Sequence, residues 1–497
     1  MNSSLLILII LGYFALLLGI AFYTSRNSNN ESFFIGNRSS KWWLVAFGMI
    51  GTSLSGMTFI SVPGTVGMVG FDYFQVVIGY WIGYFVVAAV LLPIYYKMQL
   101  TSIYTYLERR MGMASYKTGA LFFIISRTLG ATLRLYLVIK VLEMFVLDDL
   151  GIPFTYTAII ILALILLYTY RGGVKTIVWT DTLQTTFMIG ALIICVIYIM
   201  NALNLDFGST WQAMAAKDYT RMLQTEDPLA GNYFLKQILG GAFITIAMTG
   251  LDQEMMQKNI SVSNLKDSQK NMITFSFTLL AANFIFLLLG GLLYLYADAT
   301  GITATGDDIF PAIAVESGLP FFITVCFMIG LISALFPSAD GALTALTSSF
   351  CIDILGMKRR NDWPEARKQR YRLIVHNAFA IIFLGCVFFF REVDQGSLIQ
   401  TLLVVAGYTY GPLLALFSFG ILTKRKAYEP AVPVICLLSP VVCYILKQND
   451  KDFLGGYVIG TELLIINAAL AFVLLLLFSK KADAIGQQTL NDERTTY

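Results

Sequence analysis

The chain has 497 residues, 57% of them hydrophobic and only 13% charged, with a formal net charge of +3. Soluble domains run near one-quarter charged, so water is excluded as the main solvent, and so small a net charge excludes nucleic acid as a partner held by bulk electrostatics. Apolar runs of about 20 residues, the length that crosses a bilayer, recur from Leu5 to Leu477 and leave no room for a large soluble domain.

Runs bounded by charges and turn residues predict thirteen spans, at about 3–23, 42–62, 72–96, 118–146, 155–170, 178–201, 233–257, 272–298, 316–350, 373–391, 400–423, 429–447 and 458–479. The first lacks the basic start and small-residue cleavage site of a secretory signal and is read as retained. Cytoplasmic loops collect Lys and Arg. With the N-terminus outside and the C-terminus inside, most of the 34 basic residues fall in inner loops or the inner tail. The densest such loop, Lys358 to Arg372, orients the chain, with contact to lipid headgroups as a weaker alternative. The expected location is a bacterial inner membrane, with the lipid bilayer as surrounding partner and no obligate protein partner. The six cysteines lie in apolar segments without metal-ligand spacing and are expected to pack as reduced thiols.

Counting from the second span gives two groups of five, 41–201 and 233–424, separated by an outer loop at 202–232. Residues 1–40 precede them, and 425–497 supply two extra spans and a short cytoplasmic tail. An odd number per group makes the repeats inverted, a recurring carrier design in which interrupted helices set freed carbonyls near the midplane. The first helix of the first group contains Gly48-Met-Ile-Gly51-Thr-Ser-Leu-Ser-Gly56, and its counterpart contains Gly240-Gly-Ala-Phe-Ile-Thr-Ile-Ala-Met-Thr-Gly250. Both predict breaks, although the same small and hydroxyl residues also mediate close helix packing.

An ionisable group in the hydrocarbon layer costs roughly 2.5–3.5 kcal/mol on insertion scales, so each one needs a partner or a task. Asp181, which opens the sixth span, reads as an N-cap at the inner boundary or as a cation ligand. Asp340 lies deeper, in a Ser- and Thr-rich helix where Pro337 frees the carbonyl of Ser333 and Ser338 sets a hydroxyl beside the kink. Such hard oxygens suit a small cation; hydrogen bonding to neighbouring helices is the other reading. Arg127 and Arg134 stand seven residues apart on one helix face, placed to pair with a helix carboxylate or to anchor a substrate carboxylate. Asp252 and Gln253, near the inner end of their span, predict helix termination and gating contacts rather than ion binding. His376 is given no role.

Taken together these residues resemble the solute:sodium symporter family. The likeness covers nearly the whole chain and rests on Gly51-Thr-Ser-Leu-Ser-Gly-Met-Thr-Phe-Ile-Ser-Val-Pro63, Leu100-Thr-Ser-Ile-Tyr-Thr-Tyr-Leu-Glu-Arg-Arg110, Gly172-Gly-Val-Lys-Thr-Ile-Val-Trp-Thr-Asp-Thr-Leu-Gln184, Asp252-Gln253 with Gln257, and the hydroxyl-rich helix 333–349. It implies an all-α polytopic membrane protein with a leucine-transporter-like core of five plus five inverted helices, one extra N-terminal helix and two extra C-terminal ones. It also implies sodium as the coupling ion, held by the main-chain carbonyls of Gly51, Leu54 and Ala334 and the hydroxyl of Ser338. Pro337 stands where relatives often carry a second hydroxyl ligand, a departure that a carbonyl or water would have to cover. Some relatives carry a second sodium at an aspartate like Asp181, with serines at the positions that here hold Asp340 and Gly341, and Asp181 with Asp340 is the corresponding expectation. The implied solute contacts are Thr52, Ser53, Ser55, Thr58, Gln75, Arg134, Thr245 and Tyr408. The motif around Thr58 and Pro63 looks closer to the sialic-acid and monocarboxylate or multivitamin branches than to the sugar branch. The expected activity is sodium-coupled import of a small polar solute, a sialic acid, carboxylate or sugar-like molecule, by alternating access.

An enzyme is not expected, because the chain carries no HExxH, nucleophile elbow, phosphate-binding Gly-Lys loop or metal-spaced Cys and His cluster. The alternatives are a cation-conducting channel and a transporter-like sensor without a sodium requirement. For a sensor, the residues after Leu477 are too few to form a signalling domain of their own.

Overall fold

The computed structural model describes residues 3–25, 33–34, 38–147, 151–316, 318–393 and 398–481. It is almost wholly helical. After α1 (Ser3–Ser25) come α2 (Trp42–Ser53) and α3 (Gly56–Val69), which together make one apolar span bent by 57°. Then follow α4 (Tyr73–Lys97), the short α5 (Thr105–Met111) and the buried α6 (Met113–Leu142).

Next is α7 (Phe154–Ala202), whose helical run continues through Gly172 and Gly173, so the predicted spans 155–170 and 178–201 are joined by helix rather than by a loop. No proline interrupts it. At 1.5 Å per residue such a run would measure about 74 Å if straight, more than twice the hydrocarbon thickness. Its strongly apolar parts are accordingly two, Phe154–Leu167 and Thr176–Ala202. The small α8 (Phe207–Ala216) is started by a capping box in which Asp206 accepts from the Ser209 amide, and that bond holds the Asp206 carboxyl below its usual range.

The second half opens on another bent pair, α9 (Phe234–Gly250) and α10 (Gln253–Ile260), at 64°. It continues through α11 (Leu265–Thr300), the short α12 (Ile309–Glu316), α13 (Phe321–Ile354), α14 (Glu365–Val393) and α15 (Leu398–Leu422). The chain then forms α16 (Ala431–Gln448), α17 (Asp450–Phe453) and α18 (Leu463–Leu477). Strands β1 (Arg425–Ala427) and β2 (Ser479–Lys481) pair antiparallel beyond the ends of α15 and α18. Among the described residues, eight helices are long and apolar enough to cross a membrane, or ten if each bent pair counts as one.

The outer surface suits lipid. On α16 the exposed Val434, Leu437, Val441 and Ile445 form an apolar stripe, while Val432, Ile435, Cys436, Ser439 and Cys443 face inward. Helix packing inside uses small residues, as expected where lipid offers no hydrophobic drive. A Cβ on Gly79 of α4 would stand 2.2 Å from the carbonyl oxygen of Ile238, and one on Gly241 of α9 would stand 2.3 Å from that of Val76. Within the predicted irregular stretch Gly240–Gly250, Gly241 serves backbone contact between α4 and α9, and the break falls directly after its end, at Leu251 and Asp252. The cysteines carry no disulfide among the described residues, and four of the six are buried.

Candidate ion and solute site

At the first break the α2 ladder ends with the Leu54 amide on the Ile50 carbonyl, 2.7 Å, and resumes with Phe59 on Ser55, 3.1 Å. The carbonyls of Gly51, Thr52, Ser53 and Leu54 are thus left without an i+4 amide partner. Buried carbonyls of this kind must find another positive partner. Gly51 lies in a tight cleft: its amide donates to Thr185 Oγ1 at 3.0 Å, and a Cβ there would stand 2.5 Å from that oxygen and 3.4 Å from Cγ of Pro337. The break of α2 therefore abuts α13 at its proline. Along α13, Ser333, Ala334, Pro337, Ser338 and Asp340 are all buried. The Ser338 hydroxyl donates to the Leu335 carbonyl at 2.8 Å, which leaves its oxygen lone pairs to face outward from the helix.

The second break is built differently. The two carbonyls at its apex are covered by tyrosines, since Tyr95 donates to Gly250 at 2.7 Å and Tyr104 to Leu251 at 2.9 Å. Asp252 caps α10 by accepting from the Glu254 and Met255 amides at 2.9 and 3.3 Å, and its other oxygen accepts from Tyr410 at 2.8 Å. Gln253 donates to the Thr101 carbonyl and accepts from the Ile103 amide, both at 2.9 Å. Asp252 thus stands at a helix end, as expected, and Gln253 ties the start of α10 to the segment before α5. At the first break no tyrosine hydroxyl covers the apex in this way among the described residues.

Between the breaks lies a chain of buried charges. Arg127 of α6 pairs directly with Glu254 and stands 3.9 Å from Asp252. Lys258 of α10 reaches Asp181 at 2.6 Å, Thr52 Oγ1 at 2.6 Å and Glu254 at 3.6 Å. Asp181 is fully buried in the middle of α7, which removes the reading of it as a helix cap. Asp340 accepts the Gly341 amide at 2.5 Å. His376 is spanned by Thr169 and Thr347 at 3.0 and 2.9 Å, a satisfied core histidine.

A polar cavity opens beside the first break, and Thr52, Ser53, Ser55, Thr58, Arg134 and Thr245 line it. Two predicted solute contacts lie elsewhere. Gln75 is buried, with its amide nitrogen on Asp72 and its oxygen accepting the Gln224 amide at 3.0 Å, so its hydrogen-bonding capacity is spent. Tyr408 packs against Tyr444 of α16 and its carbonyl accepts from Asn467, because its position on α15 faces the C-terminal helices. The sequence reading missed Tyr73, Tyr80 and Tyr84, which also line the cavity. Their spacing of seven and four residues places them on one face of α4, a signal that was available.

Arg134 stands apart from Arg127. It is buried in the cavity wall, its Nε has no hydrogen-bond partner, and no acid lies within ion-pair distance among the described residues.

Two bent spans flanking a polar cavity, with bare carbonyls at one bend and a buried cation in the wall, are the build of a membrane carrier for small charged cargo. The chain belongs to the Sodium:solute symporter family, whose sequence profile matches residues 33–435, and is a sodium-coupled solute symporter. It is 24% identical over 476 residues to the sodium/sialic acid symporter SiaT of Proteus mirabilis, covering 92% of each chain. To the sodium-coupled monocarboxylate transporter 1 of Xenopus laevis it is 25% identical over 419 residues, covering 81% of this chain and 64% of the other. In fold it is similar to the solved substrate-bound, outward-open state of a Na+-coupled sialic acid symporter, with a TM-score of 0.82, 20% identity, and coverage of 96% of this chain and 99% of that one.

Proposed function

We propose that the chain imports a small carboxylate-bearing solute with sodium, the carboxylate docking on Arg134 and sodium binding at the first break. The observation that carries this reading is the guanidinium of Arg134, buried in the cavity wall without an acid. A buried cation with no counter-charge is costly, and a carboxylate meets a guanidinium through paired charge-assisted hydrogen bonds. The named cargoes of the bacterial and amphibian relatives, sialic acid and monocarboxylates, are both carboxylates. Ser53, Ser55, Thr58 and Thr245 then supply hydroxyls for the rest of the solute, while the Thr52 hydroxyl is held by Asp181 and Lys258.

The proposed sodium shell is the carbonyls of Gly51, Leu54 and Ala334 with the hydroxyl of Ser338. Pro337 gives no side-chain oxygen, and its contact with Gly51 closes one wall of the site. The two extra short apolar helices and the first helix bring the proposed count to thirteen spans, with inverted repeats over 41–201 and 233–424. An inside C-terminus is supported by β1 and β2, which put the end of α18 on the same side as the loop after α15, where Lys424, Arg425, Lys426, Lys480 and Lys481 gather. A bacterial inner membrane is the proposed location.

The test is uptake into proteoliposomes of sialic acid and short monocarboxylates, with glucose and proline as uncharged and zwitterionic controls, with and without an inward sodium gradient. Sodium-driven accumulation of an acid, lost in Arg134→Ala, is expected. Accumulation of glucose alone would overturn the carboxylate assignment.

A further inference from the structure

We propose that the ammonium of Lys258 is a built-in cation that takes the place of an ion at Asp181, so that the protein carries sodium only at the first break. The inference rests on the sodium-symporter reading above.

Asp181 is a carboxylate with no solvent exposure in the middle of a membrane helix, and such a group requires a counter-charge. That charge arrives from α10. The 64° bend folds α10 into the protein and buries Lys258, whose Nζ lies 2.6 Å from Asp181 Oδ2, 2.6 Å from Thr52 Oγ1 and 3.6 Å from Glu254 Oε1. The Thr52 hydroxyl donates to Asp181 in turn, at 3.2 Å. Three oxygens from α2, α7 and α10 thus surround one fixed monovalent cation, as oxygens surround a bound ion.

The neighbouring helix presents a glycine to this cluster. On α13 the adjacent position is Gly341, and a Cβ there would stand 2.3 Å from Glu254 Oε1. The carboxylate that flanks Lys258 therefore occupies the room a side chain at 341 would need. Asp340 of α13 accepts the Gly341 amide and adds its negative charge to the field around Lys258. The site is filled by the chain itself, and the lysine cannot leave with the cargo. Asp181 keeps one oxygen, Oδ1, buried and without a hydrogen-bond partner. With the ammonium removed, that oxygen, Oδ2 and Thr52 would face a vacant cation position.

The test uses the full-length protein purified in detergent, with equilibrium binding of radioactive sodium and melting curves in sodium against potassium chloride. Wild type is expected to bind one sodium per chain with a one-site curve, shifted several-fold to higher sodium in Ser338→Ala. Lys258→Gln is expected to gain a second sodium, which Asp181→Asn/Lys258→Gln loses again. The double variant is charge-balanced, so it keeps the comparison open if Lys258→Gln alone folds poorly. Two sodium ions bound to wild type, or one-site binding unchanged in a folded Lys258→Gln, would overturn the inference while leaving sodium coupling intact. No sodium binding to wild type would overturn both.

Discussion

Arg127 and Glu254, from helices α6 and α10, form an ion pair with side chains 4% and 2% exposed, whereas Arg134 on the same face of α6 has no acid within ion-pair distance among the described residues. Breaking a buried pair by removing one partner typically costs about 3–5 kcal/mol, because the other charge is left bare. Glu254→Ala should therefore lower the melting temperature sharply in detergent, and adding solute should not restore it. Retained stability in that variant would show that the pair does not hold α10 in place.

For Arg134 the expectation is the reverse. Arg134→Ala removes an uncompensated buried charge, so stability should hold or rise while apparent solute affinity falls by about 2 kcal/mol or more, roughly 30-fold. Melting temperature and concentration-dependent uptake, measured on the same preparation, separate the two arginines. Arg134→Lys should recover only part of the affinity, since an ammonium lacks the fork that grips a carboxylate.

Sodium dependence should respond to α13. Ser338→Ala is expected to raise the sodium concentration for half-maximal uptake several-fold, the loss of about 1 kcal/mol for one oxygen ligand, with the solute preference order unchanged. Gly51→Ala should do so by a different route, because its Cβ would stand 2.5 Å from Thr185 Oγ1. Overpacking of this kind costs about 1–3 kcal/mol. Combining it with Thr185→Ala should return part of that cost, and a strictly additive double variant would count against the clash.

The tyrosines at the second break make a further test. Tyr104→Phe leaves the Leu251 carbonyl without its 2.9 Å donor, at about 1–3 kcal/mol for a buried unsatisfied group. Faster amide exchange around Asp252 to Met256 is the expected readout. Tyr408→Phe, on the far face of α15, should change neither uptake nor exchange.

How much of this was legible in the sequence varies with the range of the interaction. The first break could be read because Gly48, Gly51, Ser53, Ser55 and Gly56 crowd one short stretch, and a local signal sufficed. The second was bracketed only loosely by Gly240–Gly250, since it falls at the far end of that stretch while Gly240 and Gly241 are flat surfaces for Thr461 and α4. Gln75 and Tyr408 were misplaced because polarity says nothing of which neighbour a helix face meets. Asp181 was read as an N-cap or as an acid reaching a cation, and the structure buries it beside Lys258. Its partner was missed because Lys258 sits in a polar stretch that reads as the inner end of a span until the 64° bend is known. The Glu254 and Lys258 spacing of four residues was the available hint.

The contact between Gly341 and Glu254 also bears on how this sequence can change. With only 2.3 Å between a would-be Cβ and a carboxylate oxygen, a side chain at 341 would have to push the tip of Glu254 out of its place between Arg127 and Lys258. The two residues lie on different helices, yet a methyl group added at one would be felt as a rearrangement of charge at the other.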